Sequence, residues 1–465
     1  MQELMRMLGC LFRSPAFKFC LIGILVLVLL IPMVFVLGLV SERHDRAQDV
    51  ARDIARTWGG SQQISGPYLV VPYIQRVVSR EYGKIIEQDA ERRAVFAPEA
   101  LDVTAEAASK VLHRGIYDVP TYTAKIHLTG RFLTPDLSEF VAEPSAVRWQ
   151  DASIVLSVAD VSGLKTSTVL KINDRAEVPF APSLGISGAT GDGIHAKLLT
   201  AGAELVRAPE SALLPFAFSV DLVLAGSSAL EFAPVARITH VAMSSDWSSP
   251  SFTGRFLPSE RSVSGAGFKA EWTLPHLARS VPQSWNLAEG LDRFGSYYFG
   301  VSFFQPIGFY DLVTRAVKYE VIFVASAFLA VFVLEVLSDR RVHPIQYLFV
   351  GFSLTFFYVL LLSLAEHIGF GISYAGSAAA TGIMLSVYVG RSLGSIRSGV
   401  TMAIAFAVLY TLLYLILRLE DYALLAGALV GFVTLTLVMF VTLGVDWSGG
   451  AGQDASGMAT DRQRQ

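Results

Sequence analysis

The stretch HPIQYLFVGFSLTFFYVLLLSLAEHIGF, from His343 to Phe370, decides the fold class of this chain. It starts beside a proline, a residue that the first turn of a helix accepts. The next residues, about 22 from Ile345 to Glu366, carry no charge before the last, and a helix of that length crosses the core of a bilayer. A second apolar run begins directly after Glu366 and His367. The stretch therefore predicts one arm of a membrane hairpin with an ionisable tip.

The composition agrees with a membrane protein. Hydrophobic residues make up 52% of the 465 residues and charged residues 17%, against about 25% charged residues in a soluble domain. The net charge of -3 and the pI near 6.3 argue against a surface that binds nucleic acid. The two cysteines, Cys10 and Cys20, both lie near the N-terminus. The middle of the chain therefore offers no disulfide framework and no thiolate metal site.

Apolar runs on either side of the hairpin predict further transmembrane helices. Phe19 to Val40 is uncharged and longer than the core of a signal peptide, so we interpret it as an uncleaved anchor. The other runs lie near 320–337, 345–366, 369–390, 398–417 and 421–444. With the anchor, these runs predict six membrane spans.

Small residues predict that the last five helices pack on one another. Gly371, Ala375 and Ala379 are spaced by four, and Gly427 and Gly431 form a GxxxG pattern. Because small residues at this spacing let two helices approach closely in lipid, we expect a compact five-helix bundle.

Between the anchor and the second membrane run, apolar residues alternate with polar ones. One such series is Tyr122, Ala124, Ile126, Leu128 and Phe132, and similar series lie near 216–224 and 268–274. A period of two indicates half-buried strands, and the Gly, Ser and Pro breaks between them indicate antiparallel turns. In residues 41–58 the apolar side chains recur at helical spacing instead, which indicates an amphipathic helix.

These segments predict an α+β membrane protein with five parts. Residues 1–40 form a cytoplasmic N-terminus and anchor, 41–58 an amphipathic juxtamembrane helix, and 59–315 a large antiparallel, sandwich-like β domain. Residues 316–445 form the five-helix transmembrane bundle, and 446–465 a disordered polar tail.

The distribution of Lys and Arg predicts the orientation of the chain in the membrane. An even number of spans places both termini on one side, and that side collects most of the basic residues of the short loops: Arg6, Arg13, Lys18, Arg340, Arg341, Arg391, Arg397, Arg462 and Arg464. The opposite short loops hold only Arg418. Because Lys and Arg are retained on the cytoplasmic side, we expect cytoplasmic termini and a periplasmic β domain.

Three ionisable residues near the membrane are candidates for a functional site. Glu366 and His367 form the tip of the hairpin, and Glu335 lies near the cytoplasmic end of its helix. Ionisable groups at membrane depth are costly to keep, so they are functional candidates. A His beside a carboxylate could shuttle a proton or hold a lipid headgroup, whereas the alternative is an interfacial turn that reaches water. Glu335 could instead pair with Arg340 and Arg341.

The sequence contains no motif for catalysis or for a cofactor. It has no Gly-x-Ser-x-Gly and no His-Glu-x-x-His. The eight histidines do not cluster, although His113 and His127 could meet across paired strands. We therefore expect no enzymatic activity, no catalytic residue, no metal and no cofactor.

Eight segments of the chain resemble the CreD family of inner-membrane proteins. In chain order they are Glu42-Arg43, WGGSQQISGPYLVVPY (58–73), HRGIYDVPTY (113–122), SSDWSSPSFTGRFLP (244–258), GFKAEW (267–272), QPIGFYDLVTRAVKYEVIF (305–323), HPIQYLFVG (343–351) and SLAEHIGF (363–370). The resemblance implies an envelope-integrity protein of a Gram-negative inner membrane, whose loss or overproduction alters colicin tolerance, envelope integrity or the β-lactam response. It implies no catalytic residue and no ligand.

Three classes of function are compatible with these patterns. The first is a non-enzymatic protein that maintains the envelope, anchored in the lipid bilayer and binding a periplasmic protein, lipid or glycan through its β domain. The second is a sensor that relays a periplasmic signal through the helix 41–58. The third is a transporter of lipid or cell-wall precursor that uses the Glu366-His367 hairpin. A homo-oligomer is compatible with each of them.

Overall fold

The structure is a computed structural model that describes residues 15–81, 84–141, 146–186, 191–198, 213–291, 293–303, 308–337, 342–419 and 423–442. The predicted tail 446–465 and most of the basic residues used for the orientation, among them Arg340 and Arg341, lie outside these residues. The chain divides into two compact units, with boundaries between 46 and 47 and between 306 and 307. We call them the helical unit and the β unit, and each is described by itself.

The described residues form seven α-helices and seventeen strands. The helices are α1 (Pro15–Trp58), α2 (Phe309–Lys318), α3 (Glu320–Leu337), α4 (Pro344–Ile368), α5 (Phe370–Ser392), α6 (Ile396–Arg418) and α7 (Ala423–Thr442). The strands are β1 (Gln62–Glu81), β2 (Lys84–Phe96), β3 (Ala100–Arg114), β4 (Tyr117–Phe132), β5 (Ser153–Val158), β6 (Val169–Ile172), β7 (Ala176–Pro179), β8 (Ala181–Pro182), β9 (Gly193–Lys197), β10 (Phe216–Ser227), β11 (Ala229–Phe232), β12 (Ile238–Ser245), β13 (Ser251–Gly254), β14 (Glu260–Ser264), β15 (Gly267–Pro275), β16 (Ser284–Asn286) and β17 (Phe299–Ser302).

The α+β class is confirmed, with an N-terminal apolar helix, a large β-rich part and several C-terminal apolar helices. Within the described residues, four helices are long and apolar enough to cross a membrane, namely α1, α4, α5 and α6. The pair α2 and α3 passes the same test as one span bent by 50°. The predicted count of five C-terminal spans stays a prediction. The predicted domain boundary at 315 falls inside α2, which belongs to the helical unit.

The β unit contains two sheets. The first has nine strands, in the order β13-β17-β11-β1-β5-β9-β8 with β2 and β16 attached beside β1, and the second runs β14-β15-β12-β3-β4-β10-β6-β7. Most pairs are antiparallel, but β1 with β11 and β3 with β12 are parallel. The prediction of purely antiparallel pairing is therefore wrong for these two pairs. Alternation of apolar residues indicates a strand and its faces, whereas the direction of a pair depends on where the chain returns.

One hydrophobic core fills the space between the two sheets. The alternating residues of β4 and β10 that the sequence indicated are buried, from Tyr122 to Phe132 and from Phe216 to Leu224. Aromatic rings join the sheets: Tyr122 stacks on Phe303 at 4.6 Å and Phe252 meets Phe268 edge-on at 6.0 Å. Burial of each such side chain contributes about 1.5–3 kcal/mol.

The segment WGGSQQ, one of those that carry the resemblance, joins the two sheets. The buried Gln62 side chain of β1 donates from Nε2 to the carbonyls of Asp160 and Ala225, each at 3.0 Å. Gly59 has φ +135° and lies against the Ala225 carbonyl, where a Cβ would clash. Partial burial opposes ionisation of Asp160, but hydrogen bonds from Ser162 and from Gly60 lower the pKa of its carboxyl. These residues therefore have a structural role in the β unit.

The C-terminal part of α1 packs within the β unit. Ile54 is buried, and Ala47, Val50, Ala51 and Trp58 are half-buried. The Trp58 indole donates to the Tyr122 carbonyl at 3.4 Å. At the tip of the hairpin between β3 and β4, Arg114 lies 3.3 Å from the Asp53 carboxylate. One face of the helix 47–58 is therefore held by strands that lie far away in sequence.

One stripe of small residues in the helical unit lies beside a groove. Gly371, Ala375 and Ala379 line an open groove of about 540 Å³ between α5 and α6, rather than a contact with another described helix. The prediction that this stripe brings two helices into close contact stays a prediction. Beside the groove, the Tyr374 hydroxyl of α5 donates to the Tyr410 carbonyl of α6 at 2.7 Å and joins the two helices.

Gly351 is a close contact between helices, and its substitution should destabilise the helical unit. A Cβ at Gly351 of α4 would clash with Leu29 of α1 and touch Phe328 of α3, whereas nothing lies within 4 Å of one at Gly376. We expect Gly351→Val to lower the free energy of unfolding by about 1–3 kcal/mol, because the packed neighbours must move. The melting temperature in detergent measures this, with Gly376→Val as the matched control. Equal melting temperatures for the two variants would contradict the described packing.

Candidate functional site

Helices α2 and α3 form one broken helix with a carboxylate at the break. The turn lies at Tyr319, whose N–H is shared between the carbonyls of Arg315 and Ala316 at 3.3 and 3.2 Å. Glu320 is the first residue of α3. Charged residues lie at both ends of α2, among them Asp311 and Arg315, and make this helix amphipathic. Hydropathy alone therefore assigned only α3 to the membrane span and left α2 out.

Three side-chain hydrogen bonds join the broken helix to α4. They link Tyr310 to Glu366, Glu320 to Thr355, and Glu335 to Tyr347. Residue numbers rise along the broken helix as they fall along α4, so the two are antiparallel. At a rise of 1.5 Å per residue, the three contacts lie about 16 Å and about 12 Å apart along α4. Carboxylates thus mark the end, the middle and the beginning of α4.

Glu366 lies at the C-terminal end of α4 beside two residues from other helices. The Tyr310 hydroxyl of α2 donates to Glu366 Oε1 at 3.3 Å. Arg43 Nε of α1 lies 4.0 Å from the same oxygen, and the Glu366 side chain is 9% exposed. The His44 ring meets Tyr310 edge-on at 5.7 Å. The Arg43 side chain is 38% exposed and the two charges are 4.0 Å apart, so water weakens this ion pair and its contribution to fold stability is small.

Three of the segments that carry the resemblance therefore meet at Glu366. They are Glu42-Arg43, the segment 305–323 and the segment 363–370. His367 is exposed on the same helical turn. The structure brings Glu366 together with Arg43 and Tyr310, and it leaves His367 facing away from the protein interior.

Glu335 lies at the opposite end of α4 and is buried, with 7% exposure. Its Oε1 accepts from the Val342 N–H at 3.0 Å, and its Oε2 accepts from the Tyr347 hydroxyl at 2.8 Å. The proposed partners Arg340 and Arg341 lie outside the described residues. The two hydrogen bonds join the C-terminal end of α3 to Val342 and to the first turn of α4, where His343 also caps α4 with Gln346.

Glu320 is a buried ionisable residue that the sequence analysis missed. It is 2% exposed, and Thr355 Oγ1 lies 2.6 Å from its Oε1. The other oxygen, Oε2, is buried and has no hydrogen-bond partner in the part of the chain that the structure describes. Glu320 is the first residue of the apolar run 320–337. Hydropathy alone therefore places it at the end of a membrane helix, in contact with water. The sequence feature that could have identified Glu320 is its position as an acidic residue directly after the basic helix 309–318.

The β unit carries a polar groove of about 630 Å³ on the solvent face of its eight-stranded sheet. One row crosses five neighbouring strands in register: Ser262, Lys269, Ser244, Glu106 and Lys125. With strands about 4.8 Å apart, the two lysines are separated by about 14 Å and flank Glu106. Within the described residues, neither lysine forms a salt bridge. The groove therefore presents ammonium and hydroxyl donors to solvent.

The histidines of β3 and β4 do not form a site together. His113 pairs with Asp118 across the hairpin, whereas His127 lies opposite Thr104 and binds Asp221 at 2.7 Å. The proposed meeting of His113 and His127 is therefore wrong, because the register places them far apart on the two strands. Among the residues that the structure describes, no group of three or more His, Cys, Asp or Glu side chains could hold a metal ion.

An apolar N-terminal helix, several apolar C-terminal helices and a β-rich part between them define a multi-pass membrane protein. The family model "Inner membrane protein CreD" matches residues 14–448. The chain is also similar to inner membrane protein CreD of Escherichia coli (strain K12), with 31% identity over 440 residues that cover 94% of each chain. The chain belongs to the CreD family. It is accordingly a multi-pass protein of the inner membrane whose helices contact the lipid bilayer.

Proposed function

We propose that this protein maintains the cell envelope by binding a polar periplasmic ligand, glycan or lipid headgroup, in the groove of its β unit. It acts by binding rather than by catalysis. The helical unit anchors it, and both termini lie in the cytoplasm. The observation that carries this proposal is the row of lysine, serine and glutamate side chains on the solvent face of the eight-stranded sheet.

The orientation rests on the positive residues of the short loops. Arg391 and Arg397 flank the connection between α5 and α6, on the side assigned to the cytoplasm. Glu366 and His367 lie in the last turn of α4, before the connection to α5, on the opposite side. With an even number of spans, the β unit then lies in the periplasm, where it can meet envelope components.

The chemistry of the groove favours a ligand with hydroxyl and anionic groups. Lys125 and Lys269 are exposed donors about 14 Å apart, a span that two or three sugar residues or two phosphates could bridge. Ser244, Ser262 and Ser264 add hydroxyls between and beside them. Hydrogen bonds to charged groups contribute about 1.5–3 kcal/mol each, so the two lysines would dominate the affinity.

The proposal is tested by native mass spectrometry of the tagged full-length protein, purified in mild detergent from an envelope extract. We expect the wild type to retain a glycan or lipid. Lys125→Ala combined with Lys269→Ala should reduce its occupancy at least tenfold, because both charge-assisted hydrogen bonds are lost.

Lys110→Ala is the matched control, since Lys110 is exposed on the same sheet but does not line the groove. If the double variant retained as much ligand as the wild type, the ligand would not bind in the groove, and that part of the proposal would be wrong. A wild type that retains no ligand would shift the function to the helical unit.

A second candidate, the sensor, is favoured by one observation. Helix α1 is continuous from Pro15 to Trp58, so a single helix passes from the anchor into the β unit. A ligand that changed the contacts of Trp58 or Asp53 would act directly on this helix. A sensor and a binding protein both require the β unit to bind a ligand. The mass spectrometry of the groove variants is therefore the first test of either function.

A further inference from the structure

The Glu320 carboxyl is an isolated polar group inside the helical unit. It is 2% exposed, and Oε2 has no hydrogen-bond partner within the described residues. No Lys, Arg or His that the structure describes lies within ion-pair distance of it. An ionised carboxylate in such surroundings costs several kcal/mol, so it needs a cation or a proton.

Glu320 lies level with the middle of α4, which is long and apolar enough to cross a membrane. Its partner Thr355 is near the midpoint of α4, which has 25 residues and a length of about 37 Å. Aromatic rings surround this level, including Phe323 and Phe357, which both pack on Tyr410. A broken helix with an ionisable residue at its break and at this depth is typical of sites that bind ions or protons in transport proteins.

The hydrogen-bond pattern fits a protonated carboxyl. Thr355 Oγ1 also lies 3.3 Å from the Gly351 carbonyl of its own helix and can donate its single proton there. The 2.6 Å contact is then a bond from the Glu320 O–H to the threonine oxygen, a normal length for O–H···O. This bond needs no counter-charge, and within the described residues it leaves only the carbonyl oxygen Oε2 of Glu320 without a hydrogen-bond partner.

We propose that Glu320 is a membrane-embedded proton-binding site that holds one proton at the break between α2 and α3. Releasing the proton leaves a buried carboxylate with the Thr355 hydroxyl as its hydrogen-bond donor among the described residues, which makes release costly. This goes beyond the groove of the β unit and does not depend on it. Tyr358 of α4 is the titratable group that interacts with Glu320, and Tyr374 of α5 and Tyr410 of α6 lie beside Tyr358. Arg315, Lys318 and Tyr319 precede Glu320 in the chain, and the described part of α7 has no titratable residue.

Infrared difference spectroscopy of the full-length protein in lipid nanodiscs tests this proposal. Exposed carboxyls are ionised at neutral pH. A protonated C=O band that is present at neutral pH and disappears at alkaline pH is therefore expected from the wild type. Glu320→Gln should remove this band. Glu335→Gln should keep it, because both oxygens of Glu335 already accept hydrogen bonds.

Thr355→Val is the second variant, since it keeps the carboxyl and removes its partner. We expect the band to persist at a higher frequency. An identical spectrum for wild type and Glu320→Gln would overturn the proposal. It would also fail if the neutral-pH band were absent and replacing choline by sodium at fixed pH changed the spectrum only in the wild type, because Glu320 would then bind a metal cation.

Discussion

In a strain that lacks the chromosomal copy, we expect Glu366→Gln to abolish complementation of the envelope defect without lowering the protein level. The amide can still accept the hydrogen bond from Tyr310, but it no longer offers Arg43 a charge. The Arg43 side chain is partly exposed and water weakens the pair, so we expect the fold to survive its loss. Survival under envelope stress measures the function, and an immunoblot of the membrane fraction measures the level.

Two further variants separate a functional charge from a structural turn. Arg43→Gln removes the other half of the pair and should give the same loss of complementation. His367→Gln changes the exposed neighbour and should complement normally. Full complementation by Glu366→Gln would return this residue to a structural role. Loss of complementation by His367→Gln would instead support the transporter that uses both residues of the hairpin tip.

We expect Arg279→Met to destabilise the β unit by about 3 kcal/mol or more. Arg279 is 6% exposed, and its guanidinium donates to the carbonyls of Val281, Val235 and Ala236 at 2.6, 2.7 and 3.2 Å. It also lies 4.8 Å from the centre of the Phe294 ring. Methionine fills a similar volume but leaves three acceptors without a donor, and each such loss costs about 1–3 kcal/mol. Urea unfolding of the full-length protein, followed by tryptophan fluorescence, measures the difference.

The electrostatics of Arg279 make this position unusual. Burial lowers the pKa of the guanidinium to about 10, yet it is still charged at neutral pH. Within the described residues it has no carboxylate partner, so carbonyl dipoles and an aromatic face alone compensate the charge. Arg237→Met is the control, because Arg237 is an exposed arginine bound to Glu99 at 2.8 Å. We expect that control to lose about 1 kcal/mol or less. A smaller loss for Arg279→Met than for Arg237→Met would contradict the argument.

The sequence was sufficient for those features of the fold that local patterns determine. Alternation from Tyr122 to Phe132 identifies a strand and its buried face, because successive residues point to opposite sides. The uncharged run after Pro344 identifies α4 in the same way. The parallel direction of β3 and β12 was not predictable, since it joins residues 138 positions apart, such as Ala100 and Ile238.

In the candidate site, too, local sequence patterns reveal some residues, whereas others depend on tertiary packing. Glu366 was found because a carboxylate at a hairpin tip is visible in the sequence, but its neighbours Arg43 and Tyr310 come from other helices. Glu320 was missed because the charges of α2 shortened the predicted span, and those charges are accommodated only by tertiary packing. A break inside a membrane helix leaves no hydropathy signal when its first half is amphipathic.

The two parallel strand pairs also set the order in which the β unit can be completed. Gln62 of β1 pairs with Leu230, and Ala100 of β3 pairs with Ile238. Neither sheet can therefore close while the ribosome has made only the first half of the unit. Until the residues near 245 appear, the inner strands have unpaired edges and exposed apolar faces, the state in which long-range β structures are slow to fold and prone to aggregate. We therefore expect the β unit to depend most on chaperones during its own synthesis, before any ligand or membrane stress is present.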